Sequence, residues 1–263
     1  MPFAPVNGQN LYYEDTGREL PVVVFSHGLL MDRRMFAPQV AALRGQYRCI
    51  CWDERGHGNT GDATQPFSYY DSADDLAALL HFLGVNSAVL AGMSQGGYLS
   101  LRAALKHPAL VRALILIDTQ ARPESPANLP LYTQLISTWT SQGMDDELAA
   151  TIEHIILGNG YADAATWKRH WKAQSAANLQ QIFNTLTSRD DISAAIHAIR
   201  VPTLVVHGDA DNAIPLESAQ EMAGAIAGSG FVTIAGAGHA ANLTHADAVN
   251  PQLLSFLKVV CAA

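Results

Sequence analysis

The sequence predicts an α/β protein, with a mostly parallel, doubly wound sheet and an inserted helical cap. Short apolar runs rich in β-branched residues, typical of buried strands, alternate with helix-like patterns in the first and last parts of the chain. Between residues 121 and 196 the alternation stops, and helix-like segments follow one another without a convincing strand. We therefore predict a core formed by residues 1–120 and 197–263 and a helical cap formed by residues 121–196.

The first part of the chain opens with a predicted β-hairpin, in which short strands flank the turn residues Asn7 and Gly8. Later runs lack polar alternation, as expected of strands that are buried on both faces. Asp71 or Ser72 is a suitable N-cap for a following helix, and Gly84 would end that helix. The predicted strands are residues 3–6, 11–14, 21–25, 47–52, 87–90 and 114–117, and the predicted helices are residues 35–43, 73–83 and 98–106.

The predicted cap contains helix-like segments that are rich in large aromatic residues. Trp139, Trp167 and Trp171 lie in these segments. Large aromatic side chains above a site can form the walls of a substrate pocket, so these three are candidate substrate contacts, with burial in the cap core as the alternative. The cap helices are predicted at residues 131–142, 147–157 and 164–183, followed by strands 201–206 and 231–234 and helices 216–227 and 246–260.

The composition is that of a folded protein with a large core, since 49% of the 263 residues are hydrophobic and 15% are charged. A net charge of −8 without a basic stripe argues against nucleic acid and anionic membranes as partners and leaves a small molecule as the expected one. No apolar run approaches the roughly 20 residues of a membrane span, and no signal-peptide pattern opens the chain. Three cysteines without a disulfide framework favour a cytoplasmic protein, and the oligomeric state stays open.

The strongest functional signal is at Ser94. The segment Gly92-Met93-Ser94-Gln95-Gly96 lies between a predicted buried strand and a predicted helix. This pattern in that context is typical of a nucleophile elbow, a sharp turn that exposes a serine hydroxyl at the start of a helix. Glycines on both sides remove side chains that would clash in the turn. The sequence therefore predicts Ser94 as a nucleophile.

Two further strand ends carry residues that would complete a catalytic triad. In parallel sheets the carboxyl ends of the strands meet at one edge, where sites form. Asp211 and His239 each follow a predicted strand. A serine hydroxyl needs a neutral imidazole to take its proton, and the imidazole needs a carboxylate to orient it. We therefore predict a triad of Ser94, Asp211 and His239, with Asp118 and Asp209 as rival acids.

Another strand end, at His27-Gly28-Leu29, supplies a backbone donor. Gly28 lets the chain turn so that the Leu29 N–H can point inward, and the N–H of Gln95 begins the elbow helix. Together the two N–H groups would form an oxyanion hole. His57 is expected to organise its own turn rather than to take part in chemistry. No His-Glu-x-x-His or paired Cys/His spacing is present, so we predict no metal.

The strand-end motifs occur in the order His27-Gly28, Asp53-x-Arg55-Gly56-His57-Gly58, Gly92-x-Ser94-x-Gly96-Gly97, Gly208-x-x-Asp211-x-x-x-Pro215 and Gly238-His239. Together they resemble the successive signatures of the α/β-hydrolase superfamily. The segments around Asp211 and His239 are similar to those of 3-oxoadipate enol-lactonases and related small carboxylesterases. Gln95 departs modestly from the relatives, in which Met, Leu or Trp is more usual, and its side chain would add polarity near the site.

The resemblance implies an α/β-hydrolase fold and a serine hydrolase that cleaves a small carboxylic ester or lactone through an acyl-enzyme, with no cofactor. The same fold hosts C–C bond hydrolases and cofactor-free perhydrolases, and the sequence does not separate these activities from ester hydrolysis. A dinucleotide-binding oxidoreductase is a remote alternative, because Gly92, Gly96 and Gly97 lie between a strand and a helix. The Gly-x-Gly-x-x-Gly spacing of that class is absent.

Overall fold

The computed structural model describes residues 2–17, 19–158 and 160–262. Within them eight strands form one sheet, which confirms the predicted α/β architecture. The strands are β1 Phe3–Val6, β2 Gln9–Asp15, β3 Val22–Ser26, β4 Arg48–Trp52, β5 Ala88–Met93, β6 Val111–Ile117, β7 Thr203–Gly208 and β8 Gly230–Ile234. Their order across the sheet is β1-β2-β4-β3-β5-β6-β7-β8.

The sheet is mostly parallel, as predicted. Strands β3 to β8 run in one direction, whereas β2 is antiparallel to both β1 and β4. The N-terminal hairpin pairs Phe3 with Tyr12, and its turn residues Asn7 and Gly8 have φ angles of 49° and 72°. Positive φ at both positions is what a tight hairpin turn requires. Every residue of β5 is buried, so the strand that leads to Ser94 is covered on both faces.

Helices cover the faces of the sheet and fill the interval between β6 and β7. Their bounds are α1 Ala37–Leu43, α2 Tyr69–Phe82, α3 Gln95–Lys106, α4 Leu129–Gln142, α5 Asp146–Leu157, α6 Ala164–Lys172, α7 Ala176–Thr187, α8 Leu216–Ala225, α9 Ala241–Thr244 and α10 Ala246–Cys261. Helices α4 to α7 are called the helical block below. The N–H of Ile192 donates to the carbonyl of Ala121 (3.2 Å), so the two ends of the segment that carries this block lie side by side.

The predicted single helix over residues 164–183 is wrong, because the structure divides it into α6 and α7. Helix α6 ends at Lys172. The Ser175 side chain then accepts a hydrogen bond from the Asn178 N–H (3.2 Å) and caps α7. A serine N-cap satisfies a free helical N–H and lets the chain begin a new helix.

Helix α2 begins earlier than predicted, because its N-cap is Ser68 rather than Asp71 or Ser72. The Ser68 side chain accepts from the Asp71 N–H, and the Asp71 side chain accepts from the Ser68 N–H. This reciprocal capping box fixes the start of the helix. In the part of the chain that the structure describes, no helix combines the length and the apolar character needed to cross a bilayer.

Candidate active site

Ser94 lies at the sharp turn between β5 and α3, with φ 49° and ψ −113°, an unfavourable conformation for a residue other than glycine. A Cβ atom on Gly92 would lie 2.1 Å from the Gly96 carbonyl oxygen, and one on Gly96 would lie 1.9 Å from the Ser26 carbonyl oxygen. The Thr119 hydroxyl donates to the Ser94 carbonyl (2.8 Å) and holds the turn. Gly92 and Gly96 therefore serve the close contact between strand and helix at this turn.

The structure brings Ser94, His239 and Asp211 together in one hydrogen-bonded chain. The Ser94 Oγ lies 3.0 Å from His239 Nε2, and His239 Nδ1 lies 2.8 Å from an oxygen of Asp211. Because an ionised carboxylate only accepts, Nδ1 carries the proton and Nε2 has a free lone pair. The imidazole can then accept the proton of the serine hydroxyl.

The charges in this hydrogen-bonded triad favour a basic His239. Burial alone would raise the pKa of Asp211, but the charge and hydrogen bond of His239, with two backbone N–H groups, lower that pKa overall. Burial alone would lower the pKa of His239, but the charge and hydrogen bond of Asp211 outweigh burial and raise that pKa. The carboxylate therefore stays ionised, while the imidazole gains affinity for a proton.

The rival acids have other contacts. Asp118 directly follows β6 and is fully buried. Its carboxylate accepts from the N–H groups of Gly208 (2.9 Å) and Ala241 (3.0 Å), so it ties together the turns after β7 and β8. Asp209 accepts from a backbone N–H in the neighbouring turn, 2.7 Å away. Within the described residues, neither acid forms a hydrogen bond with His239.

The two predicted oxyanion donors are the backbone N–H groups of Leu29 and Gln95. The N–H of Met31 donates to the Gly28 carbonyl (3.1 Å) and closes a turn around Leu29, which lines the same cavity as Ser94. Gln95 is the first residue of α3, so its N–H is one of the free donors of a helix N-terminus. In the described part of the chain, neither the Leu29 nor the Gln95 N–H donates a hydrogen bond. Free donors in this position suit a developing oxyanion.

The Gln95 side chain belongs to a buried polar cluster and does not line the cavity, contrary to the expectation that it adds polarity to the site. Its amide nitrogen donates to the Glu54 carboxylate, and its amide oxygen accepts from the Tyr69 hydroxyl (3.3 Å). The Ser72 hydroxyl donates to the other Glu54 oxygen. Burial raises the pKa of Glu54 to about 8, although these hydrogen bonds act in the opposite direction.

A cavity of about 90 Å³ opens beside Ser94, His239 and Leu29. Helices α4, α5 and α7 supply an apolar and aromatic part of its wall, which lies over the carboxyl edge of the sheet. Helix α6 supplies none of it within the described residues. The lining residues from the helical block are Tyr132, Leu135, Ile152, Ile155, Ile156, Phe183 and Leu186.

Two polar residues of the cavity wall escaped the sequence analysis. Glu124 lines the cavity, and its carboxylate accepts from the buried Arg189 guanidinium (3.2 Å). That guanidinium lies 4.4 Å from the centre of the Tyr98 ring, which also lines the cavity. Tyr98 follows Ser94 by four residues and so shares its side of α3, a spacing that could have revealed it. Glu124 lies in a segment without a regular pattern, so the sequence held no comparable signal for it.

None of the three tryptophans, predicted as candidate substrate contacts with burial in the cap core as the alternative, lines this cavity. Trp139 packs edge-on against a phenylalanine of α7, with ring centroids 6.4 Å apart. The Arg34 guanidinium lies 5.4 Å from the centre of the Trp167 ring. Trp171 donates from Nε1 to the Leu30 carbonyl (2.9 Å). Each ring lies on a helix face that packs against another part of the protein.

One group of side chains is compact enough to consider as a metal site. Donor atoms of Asp118, His207 and Asp211 lie within 4.8 Å of one another. The His207 Nε2–H donates to a backbone carbonyl, and both carboxylates accept from backbone N–H groups. An ion bound there would displace these hydrogen bonds and the contact between Asp211 and His239. The carboxylate oxygens are therefore already committed to the turns of the site and to His239, whereas His207 Nδ1, 3.7 Å from an Asp118 oxygen, has no hydrogen-bond partner within the described residues.

The α/β-hydrolase fold is defined by a mostly parallel sheet with a strained serine between a central strand and a helix. An acid follows a later strand, and a histidine follows the last strand. Residues 23–252 match the family model described as alpha/beta hydrolase family. The chain belongs to this family.

Similar proteins match the chain over nearly its whole length. The enol-lactonase from Burkholderia xenovorans LB400 is 28% identical, with a TM-score of 0.90 over 98% of this chain and 100% of that one. A thermophilic esterase from Thermogutta terrifontis is 28% identical, with a TM-score of 0.88 over 99% and 98%. A bifunctional esterase/perhydrolase from Acinetobacter calcoaceticus is 26% identical over 96% of this chain and 97% of that protein. These relatives are hydrolases, and the similarity includes the sheet and the helical block.

Proposed function

We propose that the protein is a serine hydrolase that cleaves a small carboxylic ester or lactone through an acyl-enzyme on Ser94. The observation that carries this proposal is the chain from Ser94 through His239 to Asp211, with contacts of 3.0 and 2.8 Å. The similarity to esterases and to an enol-lactonase supports it. The partner is then a small molecule, and the reaction needs no cofactor or metal.

In the first half of the reaction, Ser94 Oγ bonds to the substrate carbonyl carbon while His239 Nε2 takes the hydroxyl proton. Asp211 stabilises the imidazolium that forms. The N–H groups of Leu29 and Gln95 donate to the negative carbonyl oxygen of the tetrahedral intermediate. The C–O bond to the alcohol then breaks, and His239 gives its proton to the leaving oxygen.

In the second half, His239 takes a proton from a water molecule whose oxygen attacks the acyl carbon. The bond to Ser94 breaks, the carboxylic acid leaves, and the serine recovers its proton from the imidazole. A lactone follows the same steps, except that the alcohol freed when the ring C–O bond breaks stays joined to the acyl chain, so that the single product is a hydroxy acid.

We also propose that residues 121–196 act as one cap that limits the size of the substrate. An apolar cavity of about 150 Å³ can hold a benzene molecule. The cavity beside Ser94, at about 90 Å³, is smaller, and the helical block supplies much of its apolar wall. An acyl group of a few carbons therefore fits this site better than a long chain.

A perhydrolase is a second candidate, because one relative is described as a bifunctional esterase/perhydrolase. If hydrogen peroxide instead of water attacks the acyl-enzyme on Ser94, the product is a peracid and no electron transfer is required. The same triad serves both reactions. The ratio of peracid to acid, measured with acetate ester and peroxide together, distinguishes the two.

The test of the proposed function combines labelling and mutation. A serine-directed phosphonate should add its mass to the peptide that contains Ser94. Ser94→Ala should lower kcat for p-nitrophenyl acetate at least about 10³-fold, because only binding and the oxyanion donors remain. Ser100→Ala, at a buried serine six residues further along the chain in α3, is the matched control. Labelling at another residue, or an active Ser94→Ala variant, contradicts the proposal.

A further inference from the structure

Helix α6 does not line the cavity within the described residues, and it packs instead on the loop of residues 28–34, called the 28–34 loop below. Trp167, His170 and Trp171 are spaced by three and four residues, so they share one face of α6. All three reach the loop. The contacts are Trp171 Nε1 to the Leu30 carbonyl at 2.9 Å, His170 Nε2 to an Asp32 oxygen at 3.8 Å, and the Arg34 guanidinium at 5.4 Å from the centre of the Trp167 ring.

The part of the loop that α6 touches is strained. Leu30 has a φ of 64°, a left-handed conformation that a leucine rarely adopts. It lies in the turn that the Met31 N–H closes on the Gly28 carbonyl. Leu29 is the other inner residue of this turn. A return of Leu30 to negative φ would rotate the Leu29–Leu30 peptide. The Leu29 N–H belongs to the adjoining Gly28–Leu29 peptide, so its direction depends on this turn keeping its shape as a whole.

Trp171 holds this turn from the side of the helical block. Its side chain is fully buried, so the indole N–H needs an acceptor, and the Leu30 carbonyl supplies it. Among the residues that the structure describes, no other side chain donates to this carbonyl. The bond therefore fixes the carbonyl group of the strained residue directly after Leu29.

We propose that Trp171 is a positioning residue, which keeps the Leu29 N–H directed at the substrate's carbonyl oxygen by holding the Leu30 carbonyl. This inference rests on the proposed function, in which the Leu29 N–H stabilises the oxyanion. Trp171 then affects the rate of the chemical step without touching substrate, and α6 links the helical block to the catalytic edge of the sheet.

The test is Trp171→Phe, which keeps an aromatic ring and removes the N–H donor. Loss of one oxyanion donor costs about 10²- to 10³-fold in kcat, and here the donor is displaced rather than removed, so we expect kcat to fall about 10- to 100-fold. KM should change less than about threefold, because the ring does not line the cavity. Affinity for phenylboronic acid, which forms a tetrahedral adduct with a nucleophilic serine, should fall in parallel with kcat/KM. A loss of packing alone would not lower boronate affinity and kcat/KM by the same factor.

Trp139→Phe is the matched control, since it makes the same change at another buried tryptophan of the helical block, whose ring packs against Phe183 of α7. It should lower kcat and boronate affinity less than about threefold. If Trp171→Phe does not fold, benzothienylalanine at position 171 replaces the N–H by sulfur in a ring of the same shape.

Unchanged kcat and boronate affinity in the position-171 variant, with Ser94 still labelled by the phosphonate, overturn the positioning role and leave the proposed function intact. Failure of the phosphonate to label Ser94 in the unaltered protein overturns the proposed function and this inference together. A parallel loss of kcat and boronate affinity, absent from the Trp139→Phe control, supports the positioning role.

Discussion

The carboxyl edge of the sheet and the helical block meet at one cavity, and they are built in different ways. At the edge, polar groups are fixed by backbone contacts, as when Asp211 accepts from the N–H groups of Ala213 (2.7 Å) and Ile214 (3.1 Å). The block instead presents apolar faces of three helices to the cavity. We infer that short, fixed turns determine the chemistry, while the choice of inward helix faces determines the shape of the substrate.

The largest expected effect tests which acid at the edge belongs to the triad. Asp211→Asn should lower kcat about 10⁴-fold, because the amide lets His239 adopt the wrong tautomer. Asp118→Asn removes one of two acceptors for the Gly208 and Ala241 N–H groups, so it should cost about 1–3 kcal/mol of stability and much less activity. Steady-state kinetics measures the loss of kcat in each variant, and urea unfolding measures the loss of stability. A larger loss of kcat in Asp118→Asn would reverse the assignment.

The next effect is the pH dependence of the edge. Only neutral His239 can take the serine proton, so kcat/KM should fall about tenfold per pH unit below the pKa of His239. The charge of Asp211 raises this pKa above its ordinary value of 6.5, so the fall should begin above pH 6.5. In Asp211→Asn, burial is no longer opposed by that charge, and the fall in residual activity should shift to lower pH. A rate that is constant from about pH 7 to 4.5 would contradict a histidine base.

A smaller effect tests the helical block. Phe183→Ala enlarges the cavity, so kcat/KM for p-nitrophenyl hexanoate should rise about tenfold relative to acetate. Ile136→Ala, at a buried position of α4 away from the cavity, is the matched control and should reduce stability without changing the ranking of esters. The phosphonate should still label Ser94 in both variants. An unchanged ranking in Phe183→Ala would mean that the block does not determine substrate size.

The same contrast explains how much the sequence could predict. The strands, their parallel arrangement and the grouping of Ser94, Asp211 and His239 depend on short segments that carry their own signals. A buried apolar run followed by a glycine or an acid marks a strand end, and the parallel sheet brings those ends together. Asp118 follows a strand in the same way, and only its contacts with backbone N–H groups separate it from Asp211.

The inward faces of the helical block are harder to predict from the sequence, because a helix can turn any of its apolar positions toward a cavity. Size alone favours the three tryptophans as pocket walls, but Trp139 packs within the block and Trp171 contacts the 28–34 loop. The smaller Ile155 and Phe183 line the cavity instead. The break between α6 and α7 was also missed, since Ala173 and Gln174 are good helix formers and only the cap at Ser175 marks the new helix.

The smallest expected effect on catalysis comes from a change in the stability of the folded protein, which depends on the buried carboxyl of Glu54. Glu54 is buried behind Gln95, and its pKa is raised from 4.5 to about 8. The folded protein therefore binds this proton more tightly than the unfolded chain does. The resulting stability is fully present below about pH 4.5 and is lost as pH rises toward about 8.

Glu54→Gln removes this titration, because the amide stays neutral at every pH. Between about pH 5 and 8 the free energy of unfolding of the variant should therefore rise relative to that of the unaltered protein, by on the order of 4 kcal/mol. The difference in Tm should shift in favour of the variant by several degrees. Glu19→Gln, at an exposed glutamate, should show no such trend. A difference in Tm that is constant over this range would mean that Glu54 is ionised in the folded protein, with its charge offset by Ser72 and Gln95. If kcat of the unaltered protein also falls as pH rises to 8, in parallel with its Tm, the Glu54 cluster orients the Gln95 N–H as well. The same group would then affect both stability and catalysis.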